Sequence, residues 1–129
     1  MTRTAVSTTD APKAVGPYSQ GIVADGFVFC AGQLGLDPAT GQVVEGGIVA
    51  QTERALGNLR AVLAAAGCTF ADVVKTTVFL ADINDFQAMN EVYAMFMVDP
   101  FPARSTVPAG SLPKGGLVEI EAIARQPGK

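Results

Sequence analysis

The sequence predicts an α+β fold, a mixed or antiparallel sheet with two helices on one face. Three observations carry that expectation. Strand-like runs occur at 19–24, 27–31, 72–80 and 117–124, and in such runs residues two apart share a face. Two other stretches place apolar residues three and four apart, the stripe of an amphipathic helix. The resulting order, β-β-(β)-α-β-α-β-β, is that of a layered α+β domain. With 129 residues, the chain reads as one domain, 1–129, long enough to bury a core of its own.

Residues 1–14 are polar and threonine-rich and read as an extended arm containing Pro12. Gly16-Pro17 marks a turn, with Tyr18 directly after it. Strands at 19–24 and 27–31 are joined by Asp25-Gly26, a dipeptide suited to a two-residue hairpin turn. Gly32 comes where the second strand ends, either at a bulge or where another group approaches the backbone. Residues 37–41 form a second turn that leads to a short extended segment at 42–44. From Ile48 the period changes: Ile48, Ala55, Leu56, Leu59, Val62, Leu63 and Ala66 make one stripe, and Gly67 stands where a helix-terminating glycine is expected. The β-branched run VVKTTVFL then gives the strand at 72–80. Asp82 or Asn84 caps a second helix with Phe86, Met89, Tyr93 and Phe96 on one face. Asn90 lies off that stripe and reads as a surface residue.

Residues 101–124 concentrate the candidate chemistry. Arg104 opens a turn-to-strand sequence, and Glu119 and Glu121 share one face of the strand at 117–124. The opposite face, Val118, Ile120, Ala122 and Ala124, is apolar and must meet the core. Pro108, Gly110, Pro113, Gly115 and Gly116 give the intervening loop a turn composition that folds the second run back beside the first. The expectation is therefore two adjacent strands presenting a guanidinium and a carboxylate close together. Arg104 is either an anchor for a small carboxylated ligand or a cross-strand partner of Glu119 or Glu121. Glu119 is either a cleft carboxyl able to activate water or deliver a proton, or a solvated strand residue.

Composition narrows the function classes. The formal charge is −3, without the basic footprint of a nucleic-acid binder. Histidine is absent, which removes the commonest metal ligand and the commonest general acid-base. Cys30 and Cys68 are too few and too far apart for a zinc or CxxC signature and read as reduced, buried thiols. No signal segment and no membrane-spanning run are found, so a soluble, cytoplasmic protein is expected.

Together the motifs say more than each does alone. GPYSQ at 16–20, AGQ at 31–33, KTTVFLADINDFQAMNEVY at 75–93, FPARSTV at 101–107 and LPKGGLVEIEAIA at 112–124 resemble the RidA/YjgF family of reactive-intermediate deaminases. The resemblance implies a chorismate-mutase-like fold assembled as a homotrimer, with ligand clefts between subunits and neither cofactor nor metal. It implies hydrolysis of 2-imino and 2-enamino acids, such as 2-iminobutyrate and 2-iminopropanoate, to 2-oxo acids and ammonium. By the same resemblance Arg104 holds the substrate carboxylate and Glu119 activates water or transfers the proton. Tyr18, Gly32, Asn90 and Thr106 take the substrate-binding positions. Thr106 replaces a frequent cysteine, Ala31 stands where some members have serine, and VPAG at 107–110 departs from a more usual charged sequence. Other readings are a pathway-specific aminoacrylate or aminomuconate deaminase, a small-carboxylate-binding regulatory trimer, and a ribonuclease or translation inhibitor. The acidic balance and missing histidine count against the last, and no nucleic-acid or membrane partner is expected.

Overall fold

A computed structural model of the chain describes residues 2–128. Six strands form one sheet: β1 (Arg3–Val6), β2 (Gly21–Ala24), β3 (Phe27–Leu34), β4 (Val73–Leu80), β5 (Ala103–Pro108) and β6 (Val118–Arg125). Their order across the sheet is β1-β2-β3-β6-β4-β5. Every pairing is antiparallel except β4 with β5, which run parallel. The helices are α1 (Gly47–Ala65) and α2 (Phe86–Phe96).

The hairpin forms where Asp25-Gly26 places it. Both residues have positive φ, 57° and 83°, as the twisted two-residue turn requires. Gly67 likewise has φ 79° just beyond α1. The α1 stripe buries Leu56, Leu59, Val62 and Leu63 completely against the sheet. The even-numbered face of β6, Val118, Ile120, Ala122 and Ala124, meets that layer and is buried. Phe70 and Phe96 close one end of the core edge to face, their ring centres 5.9 Å apart.

Three expectations are corrected. The N-terminal arm contributes a strand: Arg3–Val6 pairs with Gly21–Ala24 along its whole length. The segment at 42–44 forms no strand and is tied to 35–37 by an isolated Leu36–Val43 bridge and by the Asp37 N–H to Gln42 carbonyl and Val44 N–H to Gly35 carbonyl hydrogen bonds. Most consequentially, β5 and β6 are not neighbours, because β4 lies between them. The Pro- and Gly-rich loop carries the chain over β4, and β6 enters the centre of the sheet, where its alternating face is best buried.

Candidate functional site

The chemistry-bearing residues fall into two groups on opposite faces of the sheet. Arg104 is in register with Thr76 of β4, and Thr76 with Ala122 of β6. Thr76 and Ala122 are both buried on the helix side, so Arg104 projects toward α2. Glu119 is in register with Phe79 and Leu34 and sits between the core residues Val118 and Ile120. Strand alternation turns it to the uncovered face with Glu121. The expected guanidinium–carboxylate neighbourhood therefore does not form within one chain. A cross-strand partnership of Arg104 with Glu119 or Glu121 is ruled out by the same alternation.

On the helix side, Arg104 Nη1 donates to Asn90 Oδ1 at 2.6 Å. The guanidinium carbon lies 4.7 Å from the Tyr93 ring centre and 5.5 Å from that of Phe86. Phe86, Asn90 and Tyr93 follow one another at helical spacing on α2. Asn90 is thus the half-buried partner of Arg104 and not a surface residue off the stripe. A cleft of about 360 Å³ opens here, lined by Asn90, Tyr93, Met97, Phe101 and Arg104 among others. Thr106, two positions along β5, shares the Arg104 face, and its hydroxyl is buried without a hydrogen-bond partner. Asn90 is neutral, so its hydrogen bond leaves the arginine's positive charge uncompensated, and a guanidinium has five N–H donors to offer an anion.

On the other face, the β3–β6 register shifts between Cys30 and Gln33, so Gly32 lies in a bulge as its glycine suggested. The Glu119 carboxyl rests against it: a Cβ at Gly32 would stand 2.6 Å from Glu119 Oε2. Burial pushes the Glu119 carboxyl above the usual carboxylate range, and the negative charge of Glu121 pushes it further. A second cleft, of about 560 Å³, is lined by Tyr18, Ala31, Gly32, Lys114 and Glu119 among others. Tyr18 is 55% exposed at its edge. The wall that carries Tyr18 is fixed by buried Gln20. Its Nε2 donates to the carbonyls of Thr8, Ala11 and Pro12, and its Oε1 accepts from the Thr8 N–H.

Sequence reasoning missed Tyr93, Lys114 and Lys13, all of which line these clefts. The aromatic spacing on α2 contained the signal for Tyr93, since Phe86, Asn90 and Tyr93 must share a face. The lysines come from an irregular loop and the arm, where no periodicity points to them. Cys30 and Cys68 are free and buried. Burial, with Cys68 nearby, pushes the Cys30 thiol up to about 12, as suits an unreactive thiol. Among the described residues no cluster of three or more His, Cys, Asp or Glu side chains is placed to hold a metal ion. No helix there is long and apolar enough to cross a membrane.

Comparison with known proteins matches this geometry to a family. The 2-iminobutanoate/2-iminopropanoate deaminase of Capra hircus is 53% identical over 98% of this chain and 92% of its own. A solved structure from Thermotoga maritima superposes with TM-score 0.93 at 48% identity, covering 97% of this chain and 98% of that one. The Escherichia coli TdcF structure with bound serine gives TM-score 0.89 at 39% identity, covering 95% and 98%. The profile described as Endoribonuclease L-PSP matches residues 8–126, and with these likenesses along nearly the whole chain the protein belongs to that family, the RidA/YjgF group its motifs resemble.

Proposed function

We propose that this protein hydrolyses 2-imino and 2-enamino acids, among them 2-iminobutanoate and 2-iminopropanoate, to 2-oxo acids and ammonium. The observation that carries the reading is Arg104, held in a cleft by a neutral amide and two aromatic rings. An arginine so placed is organised to take a carboxylate from outside the chain. The name of the goat relative, at 53% identity, supplies which carboxylates these are. The serine bound to TdcF supports a small amino-acid-like ligand.

In this reading Arg104 fixes the substrate carboxylate, and Glu119 accepts a proton from water as its oxygen bonds to the imine carbon. The C=N π electrons become a nitrogen lone pair, which takes up a proton. The carbinolamine then collapses: Glu119 relays the hydroxyl proton to the nitrogen, the freed O–H pair forms the C=O bond, and the C–N bond breaks so that ammonia leaves with the pair it shared with carbon. No atom is oxidised or reduced overall, and an imine is already electrophilic, so orientation and water activation suffice. Gly32 gives room to the Glu119 carboxyl, while Tyr18, Asn90 and Thr106 complete the walls. Arg104 and Glu119 face opposite ways on one chain, so the site requires Arg104 of one copy opposite Glu119 of another. A homotrimer with clefts between its subunits, as the family resemblance implies, satisfies that requirement.

The test couples a threonine dehydratase to 2-oxobutanoate formation, with and without this protein, where spontaneous imine hydrolysis is slow. Wild type accelerates product formation, while Arg104→Ala and Glu119→Ala each lose at least about a hundredfold, the scale of removing a positioned catalytic group. Normal turnover in both variants would sink the role assignments. The family description favours a second reading, ribonuclease. It requires RNA cleavage that survives repeated purification and disappears with Arg104→Ala.

A further inference from the structure

We infer that Tyr93 is a positioning residue for Arg104, a platform locked from behind by Thr76. Two contacts converge on this residue, and a strand register links them. The guanidinium carbon stands 4.7 Å from its centre, within the range of a cation–π contact. Its hydroxyl lies 2.6 Å from Thr76 Oγ1 in a buried hydrogen bond. Thr76 is the β4 residue in register with Arg104 itself. The ring therefore bridges α2 to the strand beside the arginine, and its tilt is set by a bond it cannot exchange with water.

Arg104 lies on the edge strand of the sheet, where a long side chain has many rotamers open to it. Asn90 restrains one nitrogen, and a single hydrogen bond leaves the guanidinium plane free to rotate about that contact. Tyr93 removes the remaining freedom by covering one face, with Phe86 at 5.5 Å extending the platform. The fork is then presented edge-on to the cleft, the orientation a bidentate carboxylate needs. The pair Thr76–Tyr93 thus contributes to ligand affinity without any atom of Thr76 reaching the ligand.

The inference rests on the proposed function, so its test separates the two. Turnover of 2-iminobutanoate and binding of 2-oxobutanoate, a non-reacting carboxylate, are measured for wild type, Tyr93→Leu and Tyr93→Phe. The Arg104 Nε–H proton, shifted upfield when it sits over an aromatic ring, is followed by NMR. A carboxylate anchor acts equally on ground and transition states, so Tyr93→Leu raises KM and Kd about tenfold with kcat within about twofold. Tyr93→Phe keeps the ring and loses only the Thr76 bond, so it recovers most of the loss but leaves KM and Kd about threefold above wild type, the share of the Thr76 lock. The upfield signal vanishes in Tyr93→Leu and persists in Tyr93→Phe. A purely structural role would lower kcat through a smaller folded fraction and leave KM, and Kd per folded molecule, unchanged, which overturns the inference. If Tyr93→Leu does not fold, Tyr93→Phe and the wild-type spectrum decide: a wild-type Arg104 signal at its ordinary position overturns it. A wild type that neither turns over the imine nor binds the oxo acid overturns the proposed function, and the platform's role in ligand affinity with it.

Discussion

Glu119 is the residue whose environment makes the sharpest demand. Its carboxyl is pushed above the ordinary glutamate range by burial first and by Glu121 second. The native state therefore holds a proton over a pH interval in which the unfolded chain has lost it. Stability falls as pH rises from the ordinary value through the raised one, and above the raised value the cost of the buried charge is fully present. Glu119→Gln removes that cost, so it is expected to raise the urea midpoint at pH 8 while abolishing turnover. The acid limb of kcat/KM should lie above the usual glutamate range and move down in Glu121→Gln, which removes the second cause. A limb that does not move would exclude Glu121 from the coupling. Gly32 gives a further expectation at this scale: Gly32→Ala puts a methyl 2.6 Å from Oε2 and displaces the carboxyl, lowering kcat at least about tenfold. Residue identities were legible in the motifs, but side-chain companionship was not. Asn90 looked like a surface residue because the apolar count on α2 was satisfied without it, and only the placement of Arg104 opposite α2 gives it a partner.

At the scale of elements, α1 does more than cover the sheet. Asn58, wholly buried, donates from Nδ2 to the carbonyls of Leu34, the last residue of β3, at 3.1 Å and of Leu36, just past it, at 2.9 Å. Gln51 Oε1 accepts the N–H of Leu117, just before β6. The two amides pin the ends of the strands that bring Gly32 and Glu119 together. Asn58→Leu takes the Asn58 donor from the Leu36 carbonyl and leaves the Leu34 carbonyl with the Leu36 N–H alone, and urea unfolding should show a loss of roughly 1–3 kcal/mol. A loss below about 0.5 kcal/mol would mean that water replaces the amide. The helices and hairpin were legible because periodicity and turn chemistry are local. The Arg3–Val6 strand was hidden in a polar run too short to show alternation. The insertion of β4 between β5 and β6 was hidden because a strand's neighbours are chosen by burial across the whole sheet, and a loop composition that permits reversal does not specify which neighbour it reaches.

At the scale of the whole molecule, one sheet face has no layer of its own among the described residues, and that face carries Glu119, Glu121, Ile123 and the 45%-exposed Phe29. The same sheet turns Arg104 the other way. These two facts give the composite site a direct test that needs no knowledge of the preferred imine. Arg104→Ala and Glu119→Ala chains, each inactive alone, are mixed in equal amounts, unfolded and refolded together. In a closed ring each cleft takes its arginine from one subunit and its glutamate from the next, so random mixing leaves about a quarter of the clefts with both groups intact. Turnover should recover to about a quarter of the wild-type value under the same refolding, and light scattering should report the same oligomer for mixed and wild-type protein. A site built within one chain would recover nothing, because every chain in the mixture lacks one of its two groups. Ile123→Glu supplies the complementary observation: a charge on the uncovered face should dissociate the oligomer and abolish turnover while far-UV circular dichroism stays that of the folded chain. A monomeric Ile123→Glu protein that keeps full activity would sink the pairing of Arg104 with Glu119, because one chain turns the two residues to opposite faces.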